Sequence, residues 1–274
     1  MTDFAGCLRA VRLHAPLVQC ITNFVTVNDC ANVILAVGGS PTMAHDIREA
    51  AEAAQAADAL VLNLGAIGEV EAMLAAGAAA NRAGHPVVLD PVGAGSTSLR
   101  RTESARLLAG LRLDVVRGNA SEIKALALGQ SAGSGVDAAR GDAVTEETLC
   151  RTAELAGLLA RRTGGVVAVS GAVDVITDGR HTALLRNGCA TMARITGSGC
   201  MLTSLMGAFC GALPGQPMAA AVAAAAAMGV AGELAEARRL KNGTGSATFR
   251  TDLIDALFNL TEEQLTGGVH CEIR

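Results

Sequence analysis

Short apolar runs of four or five residues alternate along this chain with longer amphipathic or alanine-rich stretches. The short runs predict strands over 17–21, 59–63, 86–90, 114–117 and 166–169, with a briefer extended piece at 41–43. The longer stretches predict helices over about 25–37, 47–56, 67–83, 102–110, 120–127 and 146–162. Asp46 and Glu49 have capping-box spacing for the second of these helices. Segments 173–177 and 181–185 flank Asp178-Gly179, a hairpin signal. From Met201 onward the pattern is helical.

Strands this apolar need cover on both faces, which predicts an α/β fold with a mostly parallel central sheet between helical layers. The hairpin adds a small antiparallel edge. No linker-like stretch or fixed-period repeat divides the chain, so one domain over residues 1–274 is expected. The Gly/Ser/Ala-rich stretch from Gly129 to Gly141 is the best candidate for a mobile loop. The run from Met218 to Ala231 is mostly alanine and too short to span a bilayer. A close-packed helix at a subunit interface is the expectation there.

Composition narrows the function. Lys and Arg total 22 against 26 Asp and Glu, so no charge excess steers the chain to nucleic acid or an anionic membrane. With no Trp or Tyr there is little aromatic surface for stacking bases. The eight cysteines show no CxxC pair and no zinc-like cluster, and they read as thiols in a reducing, cytoplasmic compartment. The N-terminus has no basic and apolar leader pattern.

The candidate chemistry gathers where predicted strands end, the ligand rim of an open α/β sheet. Thr22-Asn23, Asn63-Leu64-Gly65, Asp90-Pro91, Arg117-Gly118-Asn119 and Ser170-Gly171 all occupy such ends. Asp90 and Glu122 are the candidate Mg2+ partners, because this cation takes hard oxygen ligands and keeps several waters. Arg117 is a candidate phosphate clamp. Each also has a plain structural reading: a turn-forming Asp before Pro91, a first-turn Glu favoured by the helix dipole, and a surface charge at a strand end. His45 reads as a structural hydrogen-bonder. Thr196-Gly197-Ser198-Gly199-Cys200 stands ahead of the apolar run 201–209. A Gly-rich turn that opens a helix presents unpaired N–H groups to an anion. No GxxxxGK[ST], no GxGxxG after the first strand and no GxSxG occurs, which argues against P-loop, dinucleotide-binding and esterase-type sites.

Six stretches in order carry a specific resemblance. They are Pro16 to Asn23, Gly39 to Ala44, Leu62 to Gly65, Val88 to Gly95, Arg117 to Ile123 and Thr196 to Cys200. Together they resemble hydroxyethylthiazole kinase, a thiamine-pathway family of ribokinase-like fold. The likeness runs from about residue 16 to 213 and continues more weakly beyond. It implies transfer of the γ-phosphate of ATP to the hydroxyl of 4-methyl-5-(2-hydroxyethyl)thiazole, with Mg2+, by a cytoplasmic homotrimer with active sites between subunits. Carried over by motif, Met43 contacts the thiazole, with Asn23 and Gly65 close by. Arg117, Ser170 and Asn119 bind ATP, and Asp90 and Glu122 organise Mg2+ and phosphate. Gly197 and Gly199 form the anion hole, and Cys200 faces the substrate hydroxyl. Gln19 stands where many members have His, Ser170 where Thr is common, and Ser198 where Thr or Ala is frequent. Another ribokinase-like enzyme, such as a hydroxymethylpyrimidine kinase or a nucleotide-repair dehydratase, or a non-catalytic thiazole-binding trimer, is the alternative.

Overall fold

The computed structural model describes residues 2–129, 144–145 and 147–274. The loop expected from Gly129 to Gly141 therefore lies, apart from Gly129, outside the described residues.

All strands among the described residues join one sheet. They are β1 (Leu17–Ile21), β2 (Ser40–Thr42), β3 (Ala59–Asn63), β4 (Val87–Asp90), β5 (Val115–Asn119), β6 (Val166–Ser170), β7 (Asp174–Thr177), β8 (Thr182–Leu185) and β9 (Cys271–Ile273). Their spatial order is β2-β1-β3-β4-β5-β6-β7-β8-β9. Pairing is parallel from β2 to β6 and antiparallel from β6 to β9.

Side-chain alternation divides each strand between two cores. Val18 of β1, Val61 of β3 and Val88 of β4 point into one. Ile21, Leu60, Leu62 and Leu89 point into the other. The first core is covered by α1 (Phe4–His14), α2 (Val27–Val37), α8 (Ser198–Ala212), α9 (Pro217–Asn242), α10 (Ser246–Phe258) and α11 (Glu262–Gly268). The second is covered by α3 (Ala50–Ala56), α4 (Val70–Ala83), α5 (Ser98–Gly110), α6 (Ala120–Leu128) and α7 (Leu149–Thr163).

Four sequence expectations need correction. Helix α3 begins at Ala50, and the spacing of Asp46 and Glu49 does not form a capping box: Glu49 is the N-cap and makes no side-chain cap bond. Asp46 instead accepts from the Arg48 amide at 2.9 Å and pairs with its guanidinium. Helix α5 begins four residues before the expected start, because the Thr97 hydroxyl accepts from the Arg100 amide. The β7–β8 hairpin forms, but β9 pairs with β8 and takes the edge position. Finally, the alanine run of α9 is buried within this chain, with Ala220 to Ala227 all at 3% exposure or less. Among the described residues α9 is the one helix long and apolar enough to cross a membrane, yet 78% of its most apolar window is buried inside the fold.

Candidate active site

Strands β1, β3, β4, β5 and β6 run parallel, so their carboxyl ends share one rim. The start of α8 meets that rim. Between them lies a cleft of about 1190 Å³ that includes Asn23, Gly65, Asp90, Arg117, Asn119, Glu122, Ser170 and Gly197 to Cys200. The structure therefore brings together every predicted site residue except Met43. Met43 follows β2 at the edge of the sheet, is half-buried against the first core, and has its carbonyl 3.0 Å from His45 Nδ1.

The α8 turn is built from residues that side chains would spoil. Gly197, the N-cap, has φ +83°, and a Cβ there would lie 2.5 Å from the Thr26 methyl. A Cβ on Gly199 would overlap the Arg117 guanidinium. No side chain caps this helix. Its first-turn amides therefore carry the partial positive charge of the helix start toward the cleft.

Charge gathers below the turn. Asp90, at 1% exposure, accepts at Oδ2 from Thr203 Oγ1 at 2.6 Å and lies 3.4 Å from Arg117 Nη1. Its other oxygen, Oδ1, is buried and has no hydrogen-bond partner, and neither has Arg117 Nε. Burial pushes the Asp90 carboxyl up, while the Arg117 charge and the Thr203 hydroxyl draw it down. Arg117 Nη2 donates to Ser170 Oγ at 2.5 Å. Glu122 closes a capping box with Asn119. One Glu122 oxygen accepts from the Asn119 amide and the other from the Gly93 amide, each at 2.8 Å. Burial, then the Asp90 charge, pushes Glu122 up to about 7.

A neutral wall faces this charged one. Asn63, at 1% exposure, donates from Nδ2 to Cys200 Sγ at 3.1 Å and accepts from the Gly65 amide at 2.9 Å. Asn23 Nδ2 lies 3.5 Å from the same sulfur, and Asn23 Oδ1 accepts from the amides of Val25 and Thr26. Burial raises the Cys200 thiol, with the Asp90 charge adding to it, against opposing pulls from Thr26, Asn63 and Arg117. The net direction is upward from the ordinary thiol value, which disfavours the thiolate.

Among the described residues no cluster of three His, Cys, Asp or Glu side chains forms a self-sufficient metal site. The donor set still fits Mg2+. Asp90 Oδ1 is a buried carboxyl oxygen without a partner, and this ion completes its shell with phosphate oxygens and water. Glu122 has both oxygens occupied by backbone amides, so it fits better as nearby negative charge than as a direct ligand. Sequence reasoning put Asn63 at the rim without giving it a role and left Thr203 out of the site. Asn63 has a signal, a polar residue ending an apolar strand. Thr203 has a fainter one, four residues after Gly199 on the same helical face.

The sheet and its covering helices have the ribokinase-like fold. The pyridoxal kinase of Staphylococcus aureus, in complex with pyridoxal, shares the fold at a TM-score of 0.58 and 16% identity, over 79% of this chain and 87% of that one. The family is narrower. The chain belongs to the hydroxyethylthiazole kinase family, whose model matches residues 8–263. The hydroxyethylthiazole kinase of Clostridium acetobutylicum is 43% identical, covering 97% of both chains. That of Desulfovibrio desulfuricans is 47% identical, over 94% of this chain and 93% of its own. The solved hydroxyethylthiazole kinase from Pyrococcus horikoshii superposes with a TM-score of 0.87 at 35% identity, with full coverage of both chains.

Proposed function

We propose that this protein transfers the γ-phosphate of ATP to the hydroxyl of hydroxyethylthiazole, with Mg2+, in the supply of thiamine. The observation that carries the reading is Asp90 Oδ1, buried without a partner beside Arg117 and below the uncapped start of α8. A neutral thiazole by itself needs neither an orphaned carboxylate oxygen nor a free set of helix amides. A transferring phosphate with its cation uses both.

Phosphoryl transfer passes through a loose transition state, so positioning and charge stabilisation dominate over base strength. Mg2+, when bound, neutralises charge on the phosphates. Asp90 holds it, and Glu122 adds negative charge while fixing the Gly93 turn through that amide. Arg117 grips phosphate, with Ser170 at 2.5 Å steering one arm of its guanidinium. Asn119 and Ser170, which line the same cleft, are assigned to the nucleotide. The amides at Gly197 to Gly199 receive the charge that builds on the transferring group. Cys200, kept as a thiol, orients the substrate hydroxyl beside Asn23, Asn63 and Gly65.

We extend the reading to one kinase domain over the whole chain, supported by the continuous sheet, and to a homotrimer with active sites between subunits. Two features support the trimer. Met43 lies outside the cleft of its own chain, and Phe24, at 90% exposure on the rim, offers apolar surface to a neighbour. A cytoplasmic location suits eight cysteines that are all free.

The test is ADP release by purified protein with Mg-ATP and a panel of small alcohols. Turnover with hydroxyethylthiazole above all others is expected; none above background rejects the reading. Light scattering measures the assembly, and a monomeric mass rejects the trimer.

A further inference from the structure

Asp90 has two chemically equivalent oxygens in two unlike environments. Oδ2 takes the Thr203 hydroxyl at 2.6 Å and lies 3.4 Å from Arg117 Nη1. Oδ1 is equally buried and takes nothing. A carboxylate beside a guanidinium ordinarily offers both oxygens to the fork, because two parallel N–H···O bonds are the favoured geometry. Here that pairing is not made. One arm of Arg117 goes to Ser170 instead, and Oδ2 is engaged by Thr203.

We infer that Thr203 is a positioning residue for cation binding: its hydroxyl fixes the Asp90 carboxylate so that Oδ1, on a residue that lines the cleft, is left without a hydrogen bond. Thr203 is fully buried, so its hydroxyl has no water to compete for it. Its oxygen also lies 3.1 Å from the Gly199 carbonyl, the usual contact one turn back along a helix. The single proton goes to the shorter, charge-assisted partner, Asp90. Gly199 and Thr203 are four residues apart and share a face of α8. One helix therefore sets both halves of the site, its first-turn amides toward the anion and the next turn's hydroxyl toward the carboxylate that meets the cation. Without the hydroxyl, Oδ2 keeps only the 3.4 Å contact to Arg117 Nη1, and the carboxylate can turn so that the guanidinium chelates both oxygens. The open oxygen is then lost although every charged residue remains.

The inference rests on Asp90 as the cation's ligand, so the test separates the two ideas. Mn2+ binding to the ADP-loaded protein is followed by electron paramagnetic resonance for wild type, Thr203→Val, Thr203→Ser and Asp90→Asn. Thr203→Val keeps the side-chain shape without the donor. Its Mn2+ affinity is expected to fall about tenfold, with Thr203→Ser staying within about threefold of wild type, as for partners that orient metal ligands. ADP affinity in EDTA is expected to be unchanged in Thr203→Val, which a merely structural lesion would not allow. Wild-type Mn2+ affinity in Thr203→Val overturns the inference while leaving Asp90 as ligand, provided Asp90→Asn loses Mn2+. If Asp90→Asn also binds Mn2+ normally, the ligand assignment falls and the inference falls with it. Should Thr203→Val not fold, Thr203→Ala against Thr203→Ser gives the same decision.

Discussion

Two helices begin on the same cleft and treat their first amides in opposite ways. At α6, Asn119 accepts from the Glu122 amide at 2.9 Å and Glu122 accepts from the Asn119 amide at 2.8 Å. The helix closes its own start. At α8 the corresponding stretch reads Gly197-Ser198-Gly199-Cys200, and no side chain turns back to cap it. The difference is one of capping chemistry, and it decides which start is left to receive an anion. The glycine turn also costs α8 an intrinsic stabiliser, and burial of Met201 to Phe209 offsets that loss.

The comparison breaks most sharply at Asp90, the group that both helices address through Thr203 and through the charge of Glu122. Asp90→Asn is expected to lower kcat by about a thousandfold, roughly 4 kcal/mol of barrier, with circular dichroism unchanged. A variant within tenfold of wild type would remove the carboxylate from the mechanism. Next is Gly199→Ala, which pushes a methyl into Arg117. We expect kcat/KM for ATP to drop roughly a hundredfold, as for a lost or displaced transition-state donor. Full activity there would show that the open turn is not used.

Cys200→Ala should cost less, under about tenfold in kcat, because burial raises the thiol and so disfavours its use as a base. A thousandfold loss in a folded variant would make the thiol a base after all. The smallest effects belong to the closed helix. Asn119→Ala removes a cap and is expected to lower stability by about 1 kcal/mol, or about 2–4 °C in Tm for a chain of this size. A loss in activity larger than the loss in stability is what a nucleotide contact by Asn119 would add to the missing cap.

Glu122 gives the same comparison a pH axis. Its folded-state value of about 7 lies above the ordinary glutamate value of 4.5. The folded protein therefore holds this proton more tightly than the unfolded chain does. The associated stability is complete below about pH 4.5 and is lost as pH rises through 7. In thermal melts of metal-free protein, Tm should fall from pH 5 to pH 8, and Glu122→Gln should flatten the slope. An unchanged slope would show that Glu122 does not carry it.

Much of this was legible in residue order. Strands of four or five apolar residues announced themselves, and so did the polar residues at their exits, because burial on both faces leaves polar groups only at the ends. The start of α3 was not legible: Asp46 and Glu49 have capping spacing, but Arg48 takes the aspartate. Strand β9 escaped because three residues, two of them exposed, carry no period and are defined by their partner β8. Thr203 escaped because a helix-interior threonine looks like packing until a carboxylate 113 residues away is seen against it.

The alanines of α9 have a last consequence, for mutational tolerance. Alanine has no side-chain rotamers to freeze, so this helix is ordered at low entropic cost and lies close against its neighbours. The same closeness leaves no room. Replacing Ala223, Ala224 or Ala226, all at 0% exposure, by any larger residue overpacks the core at about 1–3 kcal/mol each. Sequence change in α9 is thus confined to a narrow, small-residue alphabet, and Ala225 of the run also lines a cavity shared with Arg117, Ser170 and Gly199.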